Sequence, residues 1–402
     1  NSVALVIAVF LMILGFGWVN GYQVYLFESV ITFETGHLQI LPAGYLDERA
    51  RLPVDLTIAD YGARREALMS EHPEIAEATG RILFSVELSD GRRSVRLLGR
   101  GIDPKREARV TVLDDYISRG SYLGTGVLIG APIAERMSIE PGGTVFLTAV
   151  DSDGVRNVVD ARVAGVFDFG YPAIDRNVIY VDLATAQSLL SLQDQVTKIV
   201  VRLSPESDTD AVPAELSSWA GGDEYSASAT GNAGDEHGLA VYPWQRFAET
   251  TVSAVRADTA SFWLMLGILY VLIVLGILNS MSMAIHERTG EIATLRAIGM
   301  KKRHVLGLFL SEGIGLALVA TAAGILITVP VAAYLQYRGI NVGAALPDDL
   351  PIPFGERFYA AFRFWHFAVA ALVAIGTAVL GSVLPAYRGT RVRMAAALQG
   401  KR

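Results

Sequence analysis

The sequence predicts an integral membrane protein with four transmembrane α-helices and a large α+β extracytoplasmic domain inserted between helices 1 and 2. Three observations support this fold class. Hydrophobic residues make up 51% of the 402 residues and charged residues only 19%, whereas about a quarter of the residues in a typical soluble domain are charged. Four long segments are almost free of charge, and basic residues cluster beside the ends of some of them.

Each apolar segment is long enough to cross a bilayer, which takes about 20 residues in a helix. Ser2–Phe27, Phe262–Ile285 and Phe364–Tyr387 contain no charged residue, and Val305–Tyr337 contains one acid, Glu312. The predicted segments are helix 1 at 1–34, the extracytoplasmic domain at 35–245, a stalk and helix 2 at 246–285, a cytoplasmic segment at 286–304, helix 3 at 305–337, an extracytoplasmic loop at 338–363, helix 4 at 364–387 and a cytoplasmic tail at 388–402.

Charges are segregated along the chain. The segment 286–304 and the tail 388–402 together have ten basic and two acidic residues, and the rest of the chain has 24 basic and 39 acidic residues. Basic residues beside membrane segments mark the cytoplasmic side, so the acidic domain is predicted to face outward. This distribution argues against a nucleic-acid partner. Because the chain is apolar from its first residues, we expect a cytoplasmic segment to precede Asn1.

The domain at 35–245 shows the alternating patterns of strands mixed with short helical patterns. Turns are predicted at Asp90-Gly91 and Asp153-Gly154, and a polar linker at 220–238. Strands are predicted at 35–42, 82–88, 94–98, within 142–167, at 177–183 and at 197–204, and helices at 58–69, 126–137 and 184–192. The mixture predicts an α+β domain and not a parallel nucleotide-binding fold.

The loop DFGYPAIDR at 168–176 connects two of these strands. Phe169, Tyr171 and Pro172 are predicted to be exposed there. The loop is either an ordinary long turn or a surface for a partner protein, and the residues themselves leave both interpretations open.

The segment 286–304 predicts a short amphipathic helix with a basic end. Thr289 can cap the helix, and Glu291 lies in its first turn, where the helix dipole favours an acid. Gly299 is predicted to end the helix, and Lys301, Lys302 and Arg303 follow it.

The apolar residues of this helix recur at intervals of three. Ile292, Leu295 and Ile298 are predicted to share one face. Arg288, Glu291 and Arg296 are predicted to point away from that face, and Glu287 lies just before the helix. Such a helix either rests on lipid headgroups or is presented to a partner protein on the cytoplasmic side.

The stretch ERTGEIATLRAIGMKKRHVLGLFLSEG at 287–313 resembles the signature of the FtsX-like permease superfamily. This is the MacB and LolC/LolE class of ABC transporter membrane subunits, the type VII family. Within this class, the sequence most resembles the lipoprotein-releasing permeases. The segment GIDP at 101–104 and the ending from Pro385-Ala386 are also similar to the family, although Met394 or a neighbour stands where the family has a proline.

The resemblance implies a fold, partners and a mechanism. The short helix corresponds to the coupling helix, which docks on a separate LolD-like ABC ATPase subunit, and ATP and Mg²⁺ would be bound by that partner and not by this chain. A second permease subunit would complete a homodimer or heterodimer in the bacterial inner membrane. Movement of the coupling helices would pass through a continuous helix 2 to the periplasmic domain, a process called mechanotransmission.

Three functions are compatible with the resemblance. The first is the extraction of lipoproteins from the inner membrane, in which the loop 168–176 corresponds to a hook that passes the cargo to a periplasmic chaperone. The second is MacB-like efflux of drugs or peptides, and the third is FtsX-like regulation of a cell-wall hydrolase. In each of these the cargo or partner is an amphipathic molecule or a protein.

No motif in the sequence predicts an enzyme. The sequence contains no phosphate-binding G-x-x-x-x-G-K-[ST], no H-E-x-x-H and no G-x-S-x-G, and its six histidines show no metal-ligand spacing. We therefore predict no catalytic residue, no cofactor and no metal in this chain.

Two polar residues lie within the apolar segments. Glu312 is predicted to brace the cytoplasmic end of helix 3 by pairing with Arg303, with His304 or with a helix of the coupling region, because an unpaired intramembrane acid is costly. Asn279 is predicted to form a hydrogen bond with a neighbouring helix.

Overall fold

The computed structural model describes residues 2–205, 207, 212–219, 238–341 and 357–389. The chain divides into two units, one of which is Leu26–Thr250 with Leu346–Pro353. The other unit contains the chain up to Tyr25 and most of the chain from Thr251 onwards. The predicted linker at 220–238, apart from Gly238, and the tail from Thr390 lie outside the described residues.

The helices and strands are numbered here in chain order. The helices are α1 Ser2–Val30, α2 Tyr45–Glu48, α3 Tyr61–Glu71, α4 Pro104–Val110, α5 Ala131–Met137, α6 Pro172–Asp175, α7 Leu183–Leu189, α8 Val212–Trp219, α9 Glu249–Glu287, α10 Thr289–Ala297, α11 Lys302–Tyr337 and α12 Phe364–Gly389. The strands are β1 Leu38–Pro42, β2 Ile75–Ser89, β3 Ser94–Ile102, β4 Ile117–Gly120, β5 Val127–Gly130, β6 Thr144–Val150, β7 Arg156–Phe167, β8 Val178–Asp182, β9 Lys198–Leu203, β10 Leu239–Pro243, β11 Ile340–Asn341 and β12 Arg357–Phe358.

Four helices are long and apolar enough to cross a membrane, which confirms the predicted number. They are α1, which continues as a π-helical turn to Thr35, and α9, α11 and α12. The helix α9 is unbroken over 39 residues. Small residues allow close packing between these helices, since a Cβ added at Gly313 would lie 2.5 Å from the Ser382 side chain and one at Gly324 would lie 2.9 Å from Val9.

The other unit is built on a mixed sheet of ten strands. The pairs β2–β3, β3–β8, β8–β5, β5–β7, β7–β6 and β6–β2 form a closed ring of six strands, in which only β3–β8 and β5–β7 are parallel. Strands β9, β1 and β10 extend the sheet from β2, and β4 pairs with β7. This arrangement confirms an α+β domain.

The alternating sequence patterns explain which side chains fill the ring. In β6, Val145 and Leu147 are fully buried, whereas Thr144 and Phe146 are exposed. The buried residues join Val86, Leu88 and Val163 in one hydrophobic core. Successive side chains of a strand point to opposite faces, so in β6 every second residue supplies the core, whereas β1, β5 and β8 are buried on both faces.

The prediction of one helix over 126–137 is partly wrong. Val127–Gly130 is a central strand, β5, and only Ala131–Met137 is helical. The apolar run VLI is buried on both faces between β7 and β8, and a short continuous apolar run does not by itself distinguish a buried strand from a helix.

A buried polar cluster lies where several strands meet. The Arg81 side chain donates hydrogen bonds to both carboxylate oxygens of Glu107, at 2.6 and 3.2 Å, and each side chain is 2% exposed. Lys198 donates to Gln39 at 3.2 Å. Burial, followed by repulsion from Arg81 and Arg100, lowers the pKa of Lys198 to about 7.

The chain leaves α1 through a turn that only glycine fits. Gly36 follows the π-helical turn with φ of 62° and ψ of −172°, and its N–H donates to the Ile31 carbonyl oxygen at 2.9 Å. A Cβ at this position would lie 2.4 Å from Cγ1 of Val200 and 2.9 Å from the Val201 carbonyl oxygen.

We expect Gly36→Ala to lower the free energy of unfolding by more than about 2 kcal/mol, because it combines a backbone conformation restricted to glycine with a steric clash. Gly44→Ala is the matched control, since Gly44 also has a positive φ (79°) but has nothing within 4 Å of the added Cβ. Thermal unfolding of the purified chain should show the larger loss for Gly36→Ala. Equal losses would contradict the steric argument.

The lowered pKa of Lys198 predicts a pH-dependent stability. Its pKa is about 7 when folded against an ordinary 10.5, so the unfolded chain binds more protons between these values and stability rises with pH across that window. The contribution of one proton is at most about 1.4 kcal/mol per pH unit. In unfolding measured between pH 7 and 10, Lys198→Met should remove this part of the slope, and an unchanged slope would refute the prediction.

Candidate functional site

The short helix α10 lies between two long helices, α9 and α11. Helix α9 ends at Glu287 and α10 begins at Thr289, and the Ile292 N–H donates to the Arg288 carbonyl oxygen at 3.0 Å. The side chain of Thr289 lies outside the described part of the structure, so the predicted cap remains a prediction.

Gly299 ends the helix in the predicted place. Its φ is 104°, and the Met300 N–H donates to the Leu295 carbonyl oxygen at 3.1 Å. This is the Schellman pattern of a helix C-terminus, which requires a residue with positive φ and is usually completed by glycine. The geometry turns the chain sharply into α11.

An apolar cluster fixes α10 against its neighbours. Ile292 is buried together with Ile285 of α9 and Val305 of α11, and Met281, Met300 and Leu306 pack against them. Ala293 is also buried, at 2% exposure. The sequence analysis missed the role of Ala293, since a small residue outside the regular spacing gives no hydrophobic signal.

The predicted apolar face is corrected by the structure. Ile292 is 3% exposed and Leu295 half-buried, but Ile298 is 80% exposed. At 3.6 residues per turn, the centre of the face formed by Ile292 and Ala293 lies about 190° around the axis from Ile298. Ile298 therefore projects on the side that faces away from α9 and α11.

Charged residues surround this exposed isoleucine in the sequence. Glu287 and Glu291 are exposed, and so are the four residues Lys301–His304. The side chain of Arg296 lies outside the described residues. The outer surface of the segment thus offers one apolar side chain together with charges of both signs.

An ion pair connects the start of α10 with α11. The Arg288 Nη1 donates to both carboxylate oxygens of Glu312, at 3.2 and 3.1 Å. Of the three predicted partners of Glu312, the coupling region is correct and Arg303 and His304 are wrong. Those two residues precede Glu312 by about 12 Å or more along the axis of α11.

Asn279 is exposed on α9 and has no hydrogen bond to another described helix. Its predicted interhelical bond therefore remains a prediction.

The loop 168–176 differs from its prediction. Phe169 is 5% exposed and packs against Phe33, Tyr116 and Phe167, with ring centroids 5.2 to 5.3 Å apart. The predicted exposure of Phe169 is wrong. Tyr171 and Pro172 are half-buried.

The carboxylate of Asp175 folds this loop back on itself. It accepts hydrogen bonds from the N–H groups of Phe169 at 3.1 Å and Tyr171 at 2.8 Å. Burial raises the pKa of Asp175 to about 6. These two hydrogen bonds and the burial of Phe169 hold this part of the loop in place, and its correspondence to a hook remains a prediction.

Two family models match the chain. Residues 1–219 match the MacB-like periplasmic core domain, and residues 263–393 match the FtsX-like permease C-terminal model. These matches define a membrane subunit of the ABC transporter class, which is not itself an enzyme. The chain belongs to the FtsX-like permease family with a MacB-like periplasmic core domain.

The individual relatives have low sequence identity, but their alignments cover most of this chain. The chain is 23% identical to the lipoprotein-releasing system transmembrane protein LolC of Xylella fastidiosa, over 83% of this chain and 80% of that protein. It is 19% identical to LolE of Haemophilus influenzae, over 99% and 93%. It is 29% identical to the macrolide export ATP-binding/permease protein MacB of Nitrobacter winogradskyi, over 68% of this chain and 38% of that protein.

Ile292 in α10 and Ile298, the residue directly after α10, should respond differently to truncation. We expect Ile292→Ala to cost about 2 kcal/mol or more, because it leaves a cavity between α9 and α11, and to speed amide hydrogen exchange across Thr289–Ala297 by about 30-fold. Ile298→Ala is the control, since an exposed side chain contributes within about 0.5 kcal/mol. Equal exchange in both variants would contradict the assigned faces.

Proposed function

We propose that this protein is the permease subunit of an ABC transporter that extracts lipoproteins from the inner membrane by mechanotransmission. The observation that carries the proposal is the geometry of α10, whose inner face is fixed to α9 and α11 and whose outer face presents Ile298. An element that transmits force must be firmly attached on one side and available to a partner on the other.

We expect the partner at this surface to be an ABC ATPase of the LolD type on a separate chain, which would bind ATP and Mg²⁺. The 402 residues themselves contain no phosphate-binding G-x-x-x-x-G-K-[ST]. Ile298, 80% exposed, is suited to a shallow apolar pocket, and Glu291 with the basic residues after Gly299 supplies polar contacts at its rim.

Closure of the ATPase would move α10, and two connections carry the movement to the long helices. The cluster of Ile285, Ile292 and Val305 ties α10 to both helices, and the pair Arg288–Glu312 adds a second contact to α11. This pair is about half exposed, so it contributes less than about 1 kcal/mol and serves to orient the helix.

A second permease subunit completes the assembly. Large apolar side chains of α9 are exposed along its length, among them Leu264 at 67% and Leu272 at 59%. Only 6% of the residues in the most apolar part of this helix are buried. We propose that a second copy or a close paralogue packs there and along helix 1, with lipid covering the remainder. Asn279 is placed to form its hydrogen bond across this interface.

Lipoprotein release is favoured by LolC and LolE relatives that align with 83% and 99% of this chain. A periplasmic lipoprotein chaperone would then receive the cargo. Tyr171 and Pro172 remain available to such a chaperone, whereas the buried Phe169 does not. MacB-like efflux is the second candidate, because the MacB relative has the higher identity over the part that aligns.

The test is co-purification from native membranes with one substitution in the proposed docking surface. We expect Ile298→Glu to remove a co-purifying ATPase, because it places a charge in an apolar pocket. Val158→Glu is the matched control, since Val158 is also an exposed apolar residue (59%) but belongs to the sheet unit. Mass spectrometry of the retained proteins and acylated cargo gives the readout.

Each result has a defined meaning. An ATPase with a bound acylated lipoprotein supports lipoprotein release, and an ATPase with a periplasmic adaptor and no lipoprotein supports efflux. A cell-wall hydrolase or its activator would indicate the regulator. Retention of the ATPase by Ile298→Glu, or the absence of any ATPase from the wild type, would overturn the proposed docking surface.

A further inference from the structure

The first long helix ends in an unusual element. After Val30, the residues Ile31–Thr35 form a π-helical turn, and Gly36 then leads directly into β1. Short π-helical segments are rare and are frequently found at functional sites. Three of the five residues in this turn make specific contacts with the sheet unit, to which the turn itself belongs.

The first contact is ionic. The Glu34 carboxylate accepts a hydrogen bond from Nη2 of Arg100 at 3.0 Å, and the Glu34 carbonyl oxygen accepts one from Nη1 of Arg81. Both arginines come from the sheet, Arg81 from β2 and Arg100 from β3. Their side chains are only 2% and 6% exposed, whereas the Glu34 side chain is 51% exposed. One residue of the turn is therefore held by two buried cations.

The two arginines are themselves held in place. Arg81 is bound by both oxygens of Glu107 in α4, and Nη1 of Arg100 donates to the Tyr180 hydroxyl of β8 at 3.4 Å. Rotation of either guanidinium would leave a buried charge without its partner, which is costly. The cations thus form a rigid support for Glu34.

The second contact is aromatic. The Phe33 ring packs edge to face against Tyr116 and against Phe169, with centroids 5.2 Å apart in each case. Edge-to-face pairs of this kind stabilise a defined ring orientation. The folded loop at 168–171 therefore forms one wall of the site that receives Phe33.

The third contact is made by the backbone. The Gln39 Nε2 donates to the Thr35 carbonyl oxygen at 2.9 Å, and the Oε1 of Gln39 accepts from Lys198. Strands β1 and β9 are thereby joined to the same turn. We use the term socket for Phe33, Glu34 and Thr35 together with the sheet residues that contact them.

We propose that the socket is the joint through which movement of helix 1 is passed to the periplasmic sheet, with Phe33 and Glu34 as its positioning residues. The proposal rests on the proposed function for the source of that movement. It assigns helix 1 a transmitting role beside the one expected of helix 2. At the other connection, β10 leads through a short turn at Trp244–Arg246 into α9, and the Trp244 N–H donates to the His37 carbonyl oxygen at 3.0 Å.

The test measures how firmly the turn is held in the full chain. Because the sequence contains no cysteine, spin labels can be attached at Glu28→Cys, exposed near the end of α1, and at Asp160→Cys, exposed on β7. Electron double resonance in lipid nanodiscs then gives the distribution of distances between the labels. We expect Glu34→Gln to widen this distribution at least about twofold, since Arg100 loses its charged partner.

Two further variants keep the test decisive. Phe33→Leu should widen the distribution as well, and it provides the test if Glu34→Gln does not fold. Glu140→Gln is the matched control, because it breaks an ion pair of similar length, 3.3 Å to Arg119, that is exposed. An unchanged width in both Glu34→Gln and Phe33→Leu would overturn the socket.

A functional readout separates the socket from the proposed function. In the complex with the ATPase, Glu34→Gln should retain ATP hydrolysis and lose cargo release, whereas Glu140→Gln should retain both. Wider distributions without any associated ATPase would refute the proposed function and leave the socket as a structural joint. Full cargo release by Glu34→Gln and Phe33→Leu would refute the transmitting role even if the distributions widen.

Discussion

The buried ion pair between Arg81 and Glu107 is the constraint on which the sheet unit depends. Both side chains are 2% exposed, and charges removed from water in this way are costly unless they are paired and hydrogen-bonded. The charged and polar residues around the Arg81–Glu107 pair therefore have hydrogen-bond or ion-pair partners of their own. Glu107 has to come from α4, Arg100 has to find Tyr180 and Glu34, and Lys198, with its lowered pKa, is placed beside Gln39.

This polar cluster also explains the shape of the first connection. Where the chain leaves α1, the Glu34 carboxylate lies on Arg100, its carbonyl oxygen lies on Arg81, and the Phe33 ring lies between two aromatic residues. A π-helical turn followed by Gly36, with its positive φ, meets all these requirements within six residues. The aromatic loop at 168–171 is closed by Asp175 against the same turn.

In the helical unit, the corresponding constraint is apolar and much smaller. Three buried side chains, Ile285, Ile292 and Val305, fix α10 between α9 and α11. So small a cluster can orient a helix of nine residues without covering it, and its opposite side remains open. The half-exposed Arg288–Glu312 pair adds direction and little free energy.

The sequence by itself determined the class of protein, the four apolar helices, the α+β character of the domain, the position of the short helix and its end at Gly299. These features depend on composition, on local periodicity and on single residues with special backbone freedom. Each of them can be recognised from a short stretch of the sequence. The same local rules were wrong for 126–137, where a short apolar run is a central strand.

Only the tertiary structure decided which residues meet. Three findings depend on neighbours that are distant in sequence. They are the opposite orientations of Ile292 and Ile298, the pairing of Glu312 with Arg288, and the burial of Phe169 against Phe33. The socket joins Glu34 to Arg81 and Arg100, 47 and 66 positions away. Such contacts follow from strand order and helix packing, which no local pattern specifies, because the free energy of a buried charge is set by the partners that the fold brings to it.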